Sequence, residues 1–483
     1  MIDDDEVRRL MGDDVSLDAA YAALNDRRSK PTKRGKPEQG NGAQPPEFSD
    51  DALALRFASE HANELRYVAD WSKWLRWDRM RWQLDRTLAV FDNARVICRT
   101  AAAECNKMKL AKELAAGKSV AAVERLARCD RRLAATGDQW DADPWLLNTP
   151  AGVVDLHTGA IRPHRPEDYM TKITAAGPDG TSQLWLSFLD RITAGNTELQ
   201  TFLQRMCGYA LTGSTREHAL FFGHGAGANG KTVFTDTVSN ILADYHCTAP
   251  IETFTASSVD RHPTELADLR GARLVTAVET EDGRRWAESR IKMLTGGEKV
   301  KARFMRQDLF EFTPQLKLLI TGNHRPGLRS VDEAMRRRFN LIPFTVTIPP
   351  EERDPDLTRK LKAEWPGILA WMVEGCLTWQ RDGLHPPEIV KAATAAYLEG
   401  EDALTAWIEE CCETDRLAWT RVSDLYASWK AWADKSGEYA GSTKRFVQTL
   451  EGHGYEQRRT HTGRGYMGLR LVPQEPAGQW WNR

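Results

Sequence analysis

Gly225-Ala226-Gly227-Ala228-Asn229-Gly230-Lys231-Thr232 fills the template Gly, four residues, Gly-Lys-Thr. Small residues in such a loop let consecutive backbone N–H groups turn inward around a polyphosphate. The lysine can then reach the β- and γ-phosphates and the threonine hydroxyl can ligate Mg²⁺. The flanks agree: Ala219-Leu220-Phe221-Phe222 reads as a short buried strand, and Val233 to Leu242 as a helix with apolar residues at helical spacing. The same residues satisfy Gly-x-Gly-x-x-Gly, but a dinucleotide site needs an acidic residue about 20 positions on. None stands around Cys247 to Pro250, and Lys-Thr after the last glycine favours a triphosphate loop. ATP with Mg²⁺ is the expected ligand pair.

Three further stretches follow within residues 225–338. Leu274-Val275-Thr276-Ala277-Val278 is a buried-strand run ending at Glu279, with Glu281 just beyond. A carboxylate at such a tip is where Mg²⁺ and an attacking water need one; the plainer reading is a strand ending in solvated acids. Leu316 to Thr321 is another buried strand, ending in Gly322-Asn323-His324. The Asn323 amide can orient water or sense a γ-phosphate, although asparagine is also a common turn residue. Arg336-Arg337-Arg338 then precede the strand Phe339 to Phe344. Arginine offered to a neighbouring subunit can neutralise transition-state charge, whereas in isolation the triplet reads as an exposed basic turn.

Strands and helices alternate from about Leu184 to Pro349, the pattern of a sheet flanked by helices. Upstream, residues 1–48 end in a Lys/Gly/Pro/Gln-rich run and read as a tail or linker. Trp71, Trp74, Trp77 and Trp82 sit around an expected hairpin. Aromatics interleaved with arginine can stack on a single strand, but large aromatics are mostly buried, so a core role is the stronger reading. Thr87 to Thr136 reads as two or three Ala-rich helices and Leu146 to Asp155 as strand. Leu357 to Trp379 and Glu388 to Leu398 read as helices.

The last block, Val422 to Asp434, Thr443 to Glu451 and a hairpin from Tyr455 to Leu471, fits a winged helix-turn-helix. Between residues 441 and 471, six basic residues face only Glu451 and Glu456. That local excess in a chain of net charge −2 makes Lys444 and Arg445 DNA-binding candidates, with a protein-docking module as the alternative.

Composition bounds the rest. The 483 residues suffice for about three domains, and 41% hydrophobic with 28% charged content is ordinary for a soluble protein. No apolar run approaches the roughly 20 residues a membrane span needs. The start, Met1-Ile2-Asp3-Asp4-Asp5-Glu6, is unlike a cationic signal peptide. Eight scattered cysteines suggest free intracellular thiols and a cytoplasm.

Gly225 to Thr232, Arg273 to Glu279, Ile291-Lys292-Met293-Leu294-Thr295-Gly296-Gly297, Pro314 to Pro326 and Arg337-Arg338 together resemble the superfamily 3 helicases. They are most similar to the phage and plasmid primase-helicase group that includes the poxvirus primase-helicase. Leu147 to Gly159, Pro163 to Tyr169, and Leu65-Arg66-Tyr67 with Trp74 and Trp82 extend the resemblance over roughly residues 50 to 400.

The resemblance implies an AAA+-like P-loop NTPase motor with a parallel sheet, in an α/β chain with an α+β N-terminal helicase-associated domain and a C-terminal winged-helix domain. The expected divisions are 1–48, 49–180, 181–350, 351–400 and 401–483. It implies a hexameric ring that translocates on single-stranded DNA and unwinds forked DNA at a replication origin, in the cytoplasm of a bacterial host, for a phage or mobile element. Lys231 and Thr232 would hold phosphates and Mg²⁺, Glu279 and Glu281 would supply the acidic motif, and Asn323 would be the sensor. Arg338, then Arg337, would be the arginine finger. A hairpin between the acidic and sensor strands grips DNA in that superfamily; here it falls on Glu298 to Arg306, with Lys299, Lys301 and Arg303 as contacts.

Two departures stand out. The acids are Glu279-Thr280-Glu281 rather than adjacent carboxylates, leaving the water-activating residue open. Only the 1–48 segment precedes the helicase-associated region, so primase activity is not expected and a separate primase becomes a partner. A nucleotide-switched DNA-binding initiator without processive unwinding is the second reading, and a small-molecule phosphotransferase the third.

Overall fold

The computed structural model describes residues 44–256, 264–279, 284–304, 308–328, 332–460 and 463–472. Two compact units divide the chain, one from residues up to 57 with 94–126, the other from 58–93 with 127 onward.

The first unit is helical, drawing on α1 (Asp50–His61), α2 (Ala89–Glu104), α3 (Met108–Leu114) and α4 (Gly117–Ala127). Ala94, Ile97, Cys98 and Ala101 are all buried, and their spacing of three and four places them on one stripe of α2. Arg56 pairs with Glu104 at 2.8 Å.

The second unit begins with β1 (Leu65–Val68), β2 (Lys73–Trp77), β3 (Trp82–Leu84) and β4 (Ala134–Ala135), ordered β3-β2-β1-β4. The expected hairpin is β2–β3, with Trp77 opposite Trp82. Trp82 and Trp140 are buried with Val68, Leu75 and Ala135, so the tryptophans build this small core. An antiparallel sheet of β5 (Leu146–Thr149), β6 (Gly152–Asp155) and β7 (Ile161–Arg162) follows.

Next come α5 (Gln183–Ile192), α6 (Thr197–Leu211), β8 (Leu220–His224), α7 (Lys231–Leu242), β9 (His246–Thr248), α8 (Thr264–Ala267), β10 (Leu274–Glu279) and α9 (Glu288–Gly296). The hairpin β11 (Val300–Ala302) and β12 (Phe310–Phe312), then β13 (Lys317–Gly322), α10 (Glu333–Arg336) and β14 (Phe339–Pro343) complete this region. Five strands form one parallel sheet in the order β14-β8-β13-β10-β9. Phe221 and Leu319 point into one core, Leu220, Phe222, Leu318 and Ile320 into another. Both faces are therefore covered, which is why these strands read as unbroken apolar runs.

Helices α11 (Leu357–Ala363), α12 (Trp365–Asp382) and α13 (Glu388–Cys411) lead into β15 (Cys412–Arg421), α14 (Val422–Ser436), α15 (Thr443–Gly452), β16 (Gln457–Thr460) and β17 (Gly463–Leu471). The expected hairpin of the last block is β16–β17, joined by β15 in the order β15-β17-β16. The division expected at residue 400 falls inside α13, which runs unbroken through Gly400. One glycine costs a helix only about 1 kcal/mol, and Leu404 and Trp407 keep its next turns buried.

Two buried cations brace the sheet. Arg273, before β10, donates to the carbonyls of Leu211 at 2.6 Å and Leu146 at 2.8 Å. Lys317, opening β13, donates to the carbonyls of Thr212, Ser214 and Gln315. Leu211 ends α6, so both cations sit where a helix leaves carbonyls unpaired and its dipole is negative. Burial, and next the charge of Arg273, hold the Lys317 ammonium well below the usual lysine range.

Helices α6 and α12 meet backbone to backbone. A Cβ on Gly208 would stand 2.0 Å from the Cys376 nitrogen, and one on Gly375 2.2 Å from the Gln204 carbonyl oxygen. Gly208→Val forces the helices apart and is expected to cost about 3 kcal/mol. Urea unfolding followed by tryptophan fluorescence checks this, and an unshifted midpoint overturns it.

Candidate functional site

The strand register builds the site before any side chain is considered. Glu279 lies opposite Gly322, Gly322 opposite His224, and His224 opposite Pro343. The tips of β10, β13, β8 and β14 thus end level, with the glycine-rich loop leaving the sheet at β8. Ligands of open α/β sheets bind outside these carboxyl ends, where the strand order reverses.

The loop turns because its glycines permit it. Gly227 and Gly230 take φ of 99° and 82°, which side chains rarely adopt. A Cβ on Gly225 would stand 2.2 Å from the Phe344 carbonyl oxygen. Buried Asn229 ties the loop down, its amide donating to the Phe344 carbonyl at 3.2 Å while its Oδ1 accepts from Lys231 N at 3.4 Å. Gly230 caps α7, so the helix's free N–H groups and positive end face the loop.

Lys231 is buried, and its Nζ donates to the Gly225 carbonyl at 2.5 Å and to Asn323 Oδ1 at 3.1 Å. Two candidates read separately from the sequence, the loop lysine and the polar tip of β13, are therefore in direct contact. Burial lowers the Lys231 pKa; an anion would supply the counter-charge that carbonyl and amide oxygens only partly provide. Thr232 is exposed and, with Gly227 to Val233, Val278 and Thr321 to His324, lines a cleft of about 470 Å³.

That cleft can take a triphosphate: the free N–H groups of the α7 start, one cation and a hydroxyl line it. Thr232 is a lining side chain that could hold a divalent cation, and Val278, the residue before the strand-tip Glu279, lines the same cleft. The Glu279 side chain and all of Glu281 lie outside the described residues. Among the described residues no group of three or more His, Cys, Asp or Glu forms a ready-made metal site. His224 was not singled out from the sequence. Burial, then the charges of Arg325 and Lys231, lower its pKa to about 4. The imidazole next to the loop is thus neutral at any ordinary working pH.

The arginine triplet separates in space. Arg338 is buried, its Nε donating to Thr295 Oγ1 at 3.2 Å and its Nη1 to the Ala334 carbonyl at 2.7 Å. A guanidinium so engaged is tied to its own chain in this structure. Arg337 is exposed.

The basic hairpin is present as β11–β12. Val300 and Ala302 are buried while Lys301 points out, 3.7 Å from Glu311 on the paired strand. Lys299 and Arg303 flank β11 and are exposed, and Phe304 stacks on Phe310 with centroids 5.3 Å apart. Lys444 and Arg445 occupy the first turn of α15, behind the Ser442 cap. All eight cysteines are free, and among the described residues no helix is long and apolar enough to cross a membrane.

Residues 54–194 match the family model described as D5 N terminal like, and residues 223–338 match one described as a family of unknown function, DUF5906. "Putative helicase L207/L206" of Acanthamoeba polyphaga mimivirus is 24% identical over 324 residues, 60% of this chain and 33% of that protein. "Putative helicase 121R" of Invertebrate iridescent virus 3 is 28% identical over 389 residues, 72% of this chain and 40% of that protein. The chain thus spans well under half the length of these relatives. Among solved structures, the apo NrS-1 C terminal region aligns with 88% of this chain and 100% of its own, at 10% identity and a TM-score of 0.44. The loop and the strand tips thus lie in a chain that is similar to D5 N terminal like proteins over residues 54–194, to DUF5906 over residues 223–338, and to putative helicases of mimivirus and an iridescent virus.

Proposed function

We propose that this chain is the motor of an ATP-dependent DNA helicase of superfamily 3, which translocates on single-stranded DNA and opens forked duplexes. The contact between Lys231 Nζ and Asn323 Oδ1 carries the proposal. It joins a phosphate loop to a polar strand tip at the carboxyl edge of a parallel sheet, where a γ-phosphate can be held and its loss detected.

ATP would exchange those lysine contacts for its own phosphates. Mg²⁺, when bound, spreads the charge of the transferring phosphoryl group, and Thr232 and Glu279 are the residues that would hold it. Glu279 or Glu281 would activate water, and Asn323 would orient it. Arg337 would come from the next subunit of a ring, so each site would be shared between two copies. The block from α13 to β17 has the element order helix, strand, two helices, hairpin, which supports a winged-helix reading.

Steady-state hydrolysis with and without single-stranded DNA, together with single-turnover displacement on a fork, tests this. Stimulated hydrolysis with displacement is expected. Tight DNA binding with no displacement favours the nucleotide-switched initiator instead.

The hairpin supplies its own test. Arg303→Gln is expected to weaken single-strand binding and flatten the slope of log affinity against log salt by about 0.7, the loss of one phosphate contact. An anisotropy titration across a salt series measures it; an unchanged slope removes Arg303 from the interface.

A further inference from the structure

The loop following β13 is gripped by the C-terminal elements. Leu328 N donates to Glu401 Oε2 at 3.0 Å, and the Tyr397 hydroxyl, also on α13, donates to the Pro326 carbonyl. Glu401 Oε2 lies 2.9 Å from His453 Nε2, both side chains being buried. A Cβ on Gly327 would stand 2.1 Å from the Gly452 carbonyl oxygen, so the end of α15 is in backbone contact with the loop. Asn323, His324 and Arg325 are carried on that clamped segment.

Between the loop and the start of α15 opens a cleft of about 420 Å³. Arg325, Lys444 and Arg445 line it, and Asn323 and His324 line both this cleft and the nucleotide cleft. Arg445 Nη2 donates to the Ala396 carbonyl at 2.9 Å. Arg325 and Lys444 have no hydrogen-bond or ion-pair partner among the described residues. Glu401 is the one carboxylate in the lining, and it is already engaged by His453 and Leu328 N.

Three cations around one cleft that holds a single carboxylate, Glu401, repel one another, and an anion between them relieves that cost. Partial burial, then the charge of Arg445, lower the Arg325 pKa. The Ser442 cap sets the positive end of α15 at the same cleft.

We propose that this cleft is a second phosphate site, where Arg325, Lys444 and Arg445 hold a backbone phosphodiester of single-stranded DNA. The inference rests on the DNA-translocating reading above. A phosphate is its natural ligand because only an anion answers three converging donors. A DNA strand is favoured over the nucleotide because two of the three cations belong to the basic C-terminal block and none to the phosphate loop. Arg325 is two residues from Asn323, which touches Lys231. A strand in the cleft would therefore press on the loop that senses the γ-phosphate, giving DNA a direct route to stimulate hydrolysis.

Lys444→Gln and Arg325→Gln test the site, with fluorescent oligo-dT titrated across a salt series and a fluorescent ATP analogue titrated in parallel. Each variant is expected to lose about threefold to tenfold in oligo-dT affinity and to flatten the salt slope by about 0.7, with analogue affinity kept within twofold. Lys444 is exposed, so its variant reads the site even where Arg325→Gln disturbs packing. Unchanged oligo-dT affinity and slope in Lys444→Gln overturn the proposal. So does a fall in analogue affinity with DNA binding intact, which would assign the cleft to the nucleotide's own phosphates. A wild-type chain that binds no oligo-dT removes the DNA-translocating reading itself, and the proposal with it.

Discussion

Lys231→Ala is expected to cut ATP hydrolysis by about 10²–10³-fold, the usual loss when one preorganised charge at the reacting phosphate is removed. Among the described residues lining this cleft no second cation replaces it: His224 is neutral above about pH 4, and Arg325 lines the neighbouring cleft rather than this one. The alanine also leaves the Gly225 carbonyl and Asn323 Oδ1 without the donor they share, so the loop loses its tie to the tip of β13. Phosphate release should fall with and without DNA, and affinity for an ATP analogue should weaken as well. Asn323→Ala is expected to behave differently, lowering kcat while analogue affinity holds, because the proposed role of the amide is to orient water at the γ-phosphate. A Lys231→Ala protein that keeps more than a tenth of wild-type hydrolysis would place the chemistry elsewhere.

The glycine-rich loop proposed to hold phosphates stood out because that chemistry needs contiguous residues: the glycines, the lysine and the threonine must be neighbours for the N–H groups to converge. The parallel sheet was legible for a related reason, since strands covered on both faces become apolar runs such as Leu316 to Ile320. What escaped reading depends on residues far apart in sequence. Arg273 and Lys317 look like surface cations by type. Only the carbonyls of Leu211, Thr212 and Ser214, contributed from the end of α6, make their burial tolerable. The passage of α13 through Gly400 was hidden because glycine marks chain breaks more often than helix interiors. Strand β15 was missed because eight of its ten residues are at most partly buried, so no period-2 pattern shows. Arg325 was lost in a turn, its meaning supplied by α15, more than a hundred residues later.

The arginine triplet shows the same limit most sharply, since three adjacent identical residues cannot be ranked by sequence. Arg337→Ala is expected to cut hydrolysis by about 10³-fold or more, the range for an arginine that reaches the transferring phosphoryl group. Arg338→Ala should act through the fold instead. It removes the donor to Thr295 Oγ1 and the Ala334 carbonyl and should cost about 1–3 kcal/mol of stability. The two mechanisms separate on mixing. Subunits carrying Arg337→Ala keep an intact loop, and subunits carrying Lys231→Ala keep an intact arginine. Random co-assembly into a closed ring therefore regenerates complete sites at about one interface in four. Hydrolysis of the mixture should recover towards a quarter of wild type, while neither variant alone turns over. The same mixture made with Arg338→Ala should show no such recovery beyond the simple average of its parts. A mixture of Arg337→Ala and Lys231→Ala that stays inactive, at assembly matched by light scattering, would deny that the site is shared between subunits.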